Sequence, residues 1–151
     1  MKRAPKVPPL LVLGVAAGTA WLIDGMAGPS LTTPGFQVAG VLVASLGVAV
    51  ALAGVVEFRR AQTTVDPFHP DRASALVVGG IYRVTRNPMY LGFALLLAGW
   101  VLALASLPGV VVTLAFVLYL NHFQIPPEEA ALSVRFGEAF DYYKARVRRW
   151  L

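Results

Sequence analysis

Cysteine is absent from the 151 residues, which excludes a disulfide framework, a thiolate metal site and a cysteine nucleophile. Histidine occurs only twice, as His69 and His122. Without cysteines or a dense acid cluster the pair makes a poor metal site, so no metal is expected and loop and helix-end roles suit both. Charge is scarce: 14% of residues are charged against 57% hydrophobic, and no Asp, Glu, Lys or Arg occurs from Met89 to Ile125. Also missing are a glycine-rich phosphate loop, a Ser/His/Asp arrangement, the soluble dinucleotide fingerprint and any nucleic-acid module.

What remains is one domain, 1–151, with the composition of an integral membrane protein. Apolar spans are expected at about Pro8 to Ala27, Phe36 to Val56, Met89 to Ser106 and Pro108 to Phe123. Leu107-Pro108-Gly109 breaks the last two into an antiparallel hairpin. Legs of about 18 residues rise roughly 27 Å, close to the ~30 Å of bilayer hydrocarbon. The first span follows a basic start but exceeds the ~7–15-residue core of a secretory signal. Trp21 and Asp24 also replace a small-residue cleavage pattern, so the span is expected to stay in the protein. The second is rich in Ala, Gly and Val, which permit close helix packing in lipid.

The formal net charge of +5 raises the question of nucleic acid, and the charge positions answer it. The 13 basic residues form three blocks: Lys2, Arg3 and Lys6; Arg59, Arg60, Arg72, Arg83 and Arg86; Arg135, Lys144, Arg146, Arg148 and Arg149. None lies in the connections after spans one and three. The positive-inside rule then puts both termini and the 58–87 loop in the cytoplasm, at an inner or plasma membrane, with the bilayer and not nucleic acid as partner. The fold class expected is all-α: a polytopic membrane protein with four transmembrane helices, a cytoplasmic loop capping the site and a C-terminal amphipathic helix. That last helix opens at Pro126-Pro127-Glu128-Glu129, and Leu132, Phe136, Phe140, Tyr143 and Val147 form its apolar face, with a bend at Gly137.

The densest chemistry is Gly80-Ile81-Tyr82-Arg83-Val84-Thr85-Arg86-Asn87-Pro88-Met89-Tyr90-Leu91-Gly92, answered some forty residues later by Glu128-Glu129. A hairpin returns its ends to one side, so Arg86 and the two acids are expected at the same interface. Each has a plain alternative, Arg86 as a topology determinant and the acids as helix N-terminal charges. Together, Arg and acids orient one another or clamp an anionic ligand. Tyr82 and Tyr90 read as interfacial belt residues or as walls for a cation, an onium group included. Asn87-Pro88 suits a helix start, and Gly79-Gly80 either a turn or close backbone approach to a ligand. Asp24, near the outer end of span one, is an acid at a depth that reaches water.

In this order the residues resemble the isoprenylcysteine carboxyl methyltransferase and phospholipid methyltransferase family of integral membrane enzymes. The likeness covers about 63–151, carried by the 80–92 motif, the apolar hairpin, Glu128-Glu129, Leu132, Phe136-Gly137 and Tyr143. It implies methyl transfer from S-adenosylmethionine, with S-adenosylhomocysteine as product. By position, Ser74, Ala75, Leu76, Val77, Tyr82, Asn87, Pro88, Met89 and Tyr90 would line the cofactor, Glu128 would hold one of its polar groups, and Arg86 would organise the pocket. Two residues depart from the commoner pattern. Asn87 stands where many members have His, and Gln124 where prenylcysteine enzymes set an Arg against the substrate carboxylate, which counts against a prenylcysteine substrate.

A sulfonium methyl is already electrophilic, so such an enzyme mainly aligns the reactants and excludes water. A general base is needed only for a protonated acceptor, and Glu129 is then the candidate. The acceptor implied is lipophilic or small: a lipid amine, a carboxylate, a thiol or an apolar metabolite. The competing reading is a non-enzymatic helical membrane protein, a transporter subunit or scaffold, with Asp24 as its functional group. A nicotinamide-dependent reductase fits the helices but finds no phosphate-binding motif. Oligomeric state is left open by the residues.

Overall fold

The computed structural model describes residues 7–28, 31–62 and 74–151. His69, Arg72, the central part of the expected capping loop, and the basic residues Lys2, Arg3 and Lys6 lie outside the described residues. All regular structure among the described residues is helical. Prolines and small hydroxyls set the helix starts. Helix α1 (Pro9–Met26) opens on proline; α2 (Pro34–Arg60) adds Thr33, whose hydroxyl accepts from the Phe36 N–H at 3.5 Å. After a 3₁₀ turn at Gly80–Arg83 comes α3 (Pro88–Leu104), then α4 (Leu107–Tyr119), capped by Ser106 Oγ accepting from the Gly109 N–H at 3.2 Å. Pro108 and Gly109 therefore belong to the first turn of α4. The hairpin reverses one step earlier, at Ala105, whose φ of 53° is left-handed.

No break precedes Pro126-Pro127. Leu120–Gln124 form one wide π turn, in which the Ile125 N–H reaches the Leu120 carbonyl, and α5 (Ile125–Phe136) continues from it. The two prolines lack an N–H and crowd the carbonyls one turn back, and a widened turn relieves that crowding. At Gly137, φ 52° and ψ −130° split the expected amphipathic helix into α5 and α6 (Glu138–Arg146). This conformation is open to glycine and strained for other residues.

Three helical stretches are long and apolar enough to cross a membrane, Pro9–Met26, Pro34–Arg60 and Leu107–Phe136, while α3 is a shorter apolar helix of 17 residues. Leu10, Val15, Leu42 and Leu46 are exposed on α1 and α2, a density of apolar surface that suits lipid rather than water. Helices α2 and α3 lie backbone to backbone. A Cβ at Gly47 would come 2.6 Å from the Gly92 carbonyl, and one at Gly40 2.5 Å from the Gly99 carbonyl. Only side-chain-free residues allow that approach, which sums dispersion contacts where lipid supplies no hydrophobic drive. One core cluster joins Leu13 and Ala16 of α1 to Tyr90, Leu97, Phe116, Leu120 and Ile125. A second joins Val77 and Tyr82 to Phe140 and Tyr143, with Phe58, Leu132, Phe136 and Val147 packed against it. The apolar stripe of α5 and α6 thus faces protein, the 76–82 segment and the end of α2, rather than lying free on the interface.

Candidate functional site

Three separated pieces of chain converge at one end of the α3–α4 hairpin: residues 85–90, the π turn with the start of α5, and the segment after α6. Arg86 Nη2 pairs with Glu129 Oε1 at 3.0 Å, while Nη1 donates to the Lys144 carbonyl at 3.1 Å. Arg149 approaches the same carboxylate as a fork, Nη2 to Oε2 at 2.6 Å and Nε to Oε1 at 3.3 Å. The backbone around Arg149 is also engaged. The Arg148 carbonyl accepts from the Arg86 N–H at 3.0 Å. The Arg149 carbonyl accepts from Thr85 Oγ1 at 3.2 Å and Asn87 Nδ2 at 3.0 Å. Trp150 Nε1 donates to Asn121 Oδ1 at 3.0 Å.

Beside this group lies a carboxylate with uncharged partners. Tyr90 donates its hydroxyl hydrogen to Glu128 Oε1 at 2.5 Å, and Gln124 Nε2 donates to the same oxygen at 3.0 Å and to the Tyr90 oxygen at 3.2 Å. Gln124 is fully buried. Consecutive residues of α5 therefore have different partners: Glu129 the two arginines, Glu128 a phenol and an amide. Among the described residues, two buried side-chain atoms have no hydrogen-bond partner, Arg86 Nε and Gln124 Oε1. One is a donor, the other an acceptor, and both belong to this site. Native structures leave few such atoms unpaired, and those they do leave call for an explanation.

Tyr82 is buried under α6, and its carbonyl accepts from the Tyr143 hydroxyl at 2.8 Å. Burial pushes the Tyr82 phenol well above its ordinary value, and the nearby Tyr143, Glu128 and Glu57 push it in the same direction. Burial also raises the Tyr143 phenol, against a lowering by Arg86. Both stay protonated donors. Leu76 and Val77 pack in the same cluster as Tyr82. Ser74 donates to the Gln62 carbonyl at 3.1 Å, tying this end of the loop to the end of α2, and Ala75 beside it is half-buried. Pro88 and Met89 face α2, where a Cβ at Gly54 would meet them at 3.0 and 3.2 Å. Gly80 has φ 54°, and a Cβ there would lie 2.5 Å from the Glu57 carboxyl carbon. The close approach made at Gly79-Gly80 is thus to Glu57.

Arg149, Asn121, Trp150, Thr85 and Glu57 are not among the site residues expected from sequence, although Thr85 lies in the 80–92 motif and Arg149 in the last basic block. Arg149 sits in a basic cluster with Arg146 and Arg148 that reads as a topology signal, and Glu57 at a helix end that reads as a membrane boundary. The assembled site is a largely buried polar cluster at the end of an apolar bundle, beside the edge-on pair of Tyr90 and Phe93. It is suited to a ligand that carries both a donor and an acceptor group.

Comparison with known proteins bears on that ligand. No solved structure matches the chain. A protein of Haemophilus influenzae described as uncharacterized is 41% identical over 63 residues, 42% of this chain and 100% of that one. A probable protein-S-isoprenylcysteine O-methyltransferase of Oryza sativa subsp. indica is 30% identical over 115 residues, and so is one of subsp. japonica. The match takes in 74% of this chain and 59% of each rice protein. The phospholipid methyltransferase family model matches residues 36–139, which include all but the first two residues of α2, the 80–92 motif, the hairpin and both acids. The chain belongs to the phospholipid methyltransferase family, and it is also similar to the rice proteins described as probable isoprenylcysteine methyltransferases.

Proposed function

We propose that the protein is a membrane-embedded methyltransferase that binds S-adenosylmethionine at the 85–90/124–129 site and methylates a lipophilic or small acceptor arriving from the bilayer. The observation that carries this reading is that one polar cluster holds both an unpartnered donor, Arg86 Nε, and an unpartnered acceptor, Gln124 Oε1. A zwitterionic amino-acid group such as that of S-adenosylmethionine needs both. Arg86 would meet its carboxylate, Gln124 and Glu128 its ammonium, and Tyr82 and Tyr90 would present aromatic faces to a positive sulfur. The residues present therefore fit the group.

S-Adenosylmethionine, when bound, supplies an electrophilic methyl group on a sulfonium. This chain's residues hold the reactants in line and keep water out, which is where most of the rate gain in such a transfer lies. Glu129 is poorly placed to serve as a general base, because both its oxygens are already occupied as acceptors from guanidinium groups. The chain in this reading crosses the membrane four times. Its α3, at about 26 Å, is the shortest crossing, and the Lys- and Arg-bearing connections lie in the cytoplasm.

The test is calorimetry of purified protein in detergent with S-adenosylhomocysteine, followed by transfer of labelled methyl from S-adenosylmethionine to extracted membrane lipids. Saturable binding and a labelled lipid product are expected. Absence of binding in demonstrably folded protein would overturn the reading.

A further inference from the structure

We infer that Arg149 is a positioning residue of the proposed methyl-transfer site, and that the segment Val147–Trp150 completes that site. The inference rests on the methyltransferase reading, yet Arg149 lies beyond residues 36–139, which match the family model.

Arg149 acts in two directions. Its side chain takes both oxygens of Glu129, at 2.6 and 3.3 Å, while Arg86 reaches one of them from elsewhere at 3.0 Å. The carboxylate screens two guanidiniums that would otherwise repel, and so sets their separation. With Arg86 Nη2 on Glu129 and Nη1 on the Lys144 carbonyl, Nε is the one Arg86 nitrogen left without a partner. Arg149 thereby fixes, through Glu129, how Arg86 presents that donor. Its carbonyl meanwhile holds Thr85 and Asn87 on either side of Arg86, and the preceding carbonyl holds the Arg86 N–H. Trp150 anchors the segment at the far side, bonded to Asn121 in the π turn and packed against the cluster that contains Tyr90 and Ile125. Motif loop, π turn and acidic helix are thus joined through one short stretch of chain.

The experiment compares the full chain in detergent with Arg149→Lys, Arg149→Met, Glu129→Gln and the double variant Arg149→Met/Glu129→Gln. Arg146→Gln, an exposed arginine stacked on Tyr142 at 4.2 Å, serves as control. S-Adenosylhomocysteine affinity, thermal midpoint, and kcat and KM for S-adenosylmethionine are read for each. Arg149→Met is expected to weaken S-adenosylhomocysteine binding at least tenfold, with the loss in KM rather than kcat. Arg149→Lys should recover part of it, since charge returns without the fork. The double variant should bind no worse than Glu129→Gln alone, because residues acting through one carboxylate are not additive. Arg146→Gln should match wild type. Arg149→Met binding like wild type, or a double variant that loses the sum of both single losses, would overturn the inference. If Arg149→Met does not fold, Arg149→Lys decides: wild-type affinity and KM overturn the inference, and a loss confined to KM supports it. Wild-type protein that binds no S-adenosylhomocysteine sinks the methyltransferase reading and this inference together. Binding by wild type with Arg149→Met unchanged sinks this inference alone.

Discussion

Helices α3 and α4 form one hairpin with two unlike ends. At the Ala105–Ser106 end the chain turns in two residues, closed locally by a left-handed Ala105 and the Ser106 cap, with one distant fastening, the Thr32 hydroxyl donating to the Leu104 carbonyl at 2.8 Å. An apolar cavity of about 470 Å³ sits there, lined by Phe36, Val101, Leu102 and Val110 among others. At the opposite end the partners are far apart in sequence: Arg86 with Glu129, Tyr90 with Glu128, Thr85 and Asn87 with Arg149. A turn that closes locally needs few polar groups and demands little of the rest of the chain. Polar side chains inside an apolar bundle end are tolerated only if other pieces of chain return to satisfy them. The difference separates an end closed mainly by adjacent residues from one closed by distant polar partners.

The largest expected effect of a single substitution falls at the polar end. Arg86→Met removes a cation whose side chain is 11% exposed from a carboxylate that is 16% exposed. Breaking one arm of such a buried pair costs about 3 kcal/mol or more, less whatever Arg149 recovers. Both the thermal midpoint and S-adenosylhomocysteine affinity should fall. Unchanged stability would mean that the ion pair is open to solvent and that the site is not enclosed.

A smaller and more selective effect is expected from Glu128→Gln, which keeps the shape of the side chain and removes its charge. Tyr90 and Gln124 can still donate to the remaining carbonyl oxygen, so the melting temperature should barely move. S-Adenosylhomocysteine affinity should fall by roughly 1.5–3 kcal/mol if one charge-assisted hydrogen bond to the ligand is lost. Glu138→Gln, at an exposed acid on α6, should bind as wild type does. Equal affinities for the Glu128 and Glu138 variants would return Glu128 to the role of a helix N-terminal charge.

That the motif and the acids share one end was legible in the sequence, because a charge-free hairpin must bring its flanks together. Which acid meets Arg86 was not. Adjacent residues of a helix point about 100° apart, and the π turn at Leu120–Gln124 shifts the phase of everything after it. Without that extra step the sequence gives no means of choosing Glu129 for the arginines and Glu128 for Tyr90 and Gln124. Arg149 was hidden for another reason: its contacts span 20 to 64 residues and follow no periodicity. The stripe from Leu132 to Val147 was legible as one apolar face, but its partner was not, since the Leu76–Tyr82 segment that covers it carries no helical pattern. Close packing of span two was readable from its small residues. The facing pairs Gly40 with Gly99 and Gly47 with Gly92 emerge only once α2 and α3 are set antiparallel.

The smallest effect tests the Ala105–Ser106 end. Ser106 is buried, with 4% of its surface exposed, and its Oγ accepts from the Gly109 N–H at 3.2 Å. Ser106→Ala leaves that N–H without its cap, a loss of about 1 kcal/mol in comparable helices. For a chain of this length that is a fall of roughly 2–4 °C in thermal midpoint. Affinity for S-adenosylhomocysteine should not change, because no hydrogen bond of the polar end depends on where α4 begins. If instead Ser106→Ala weakens binding in step with stability, the two ends communicate along α3 and α4, and the cap at the turn sets the positions of Tyr90 and Gln124 from the far end of the same helices.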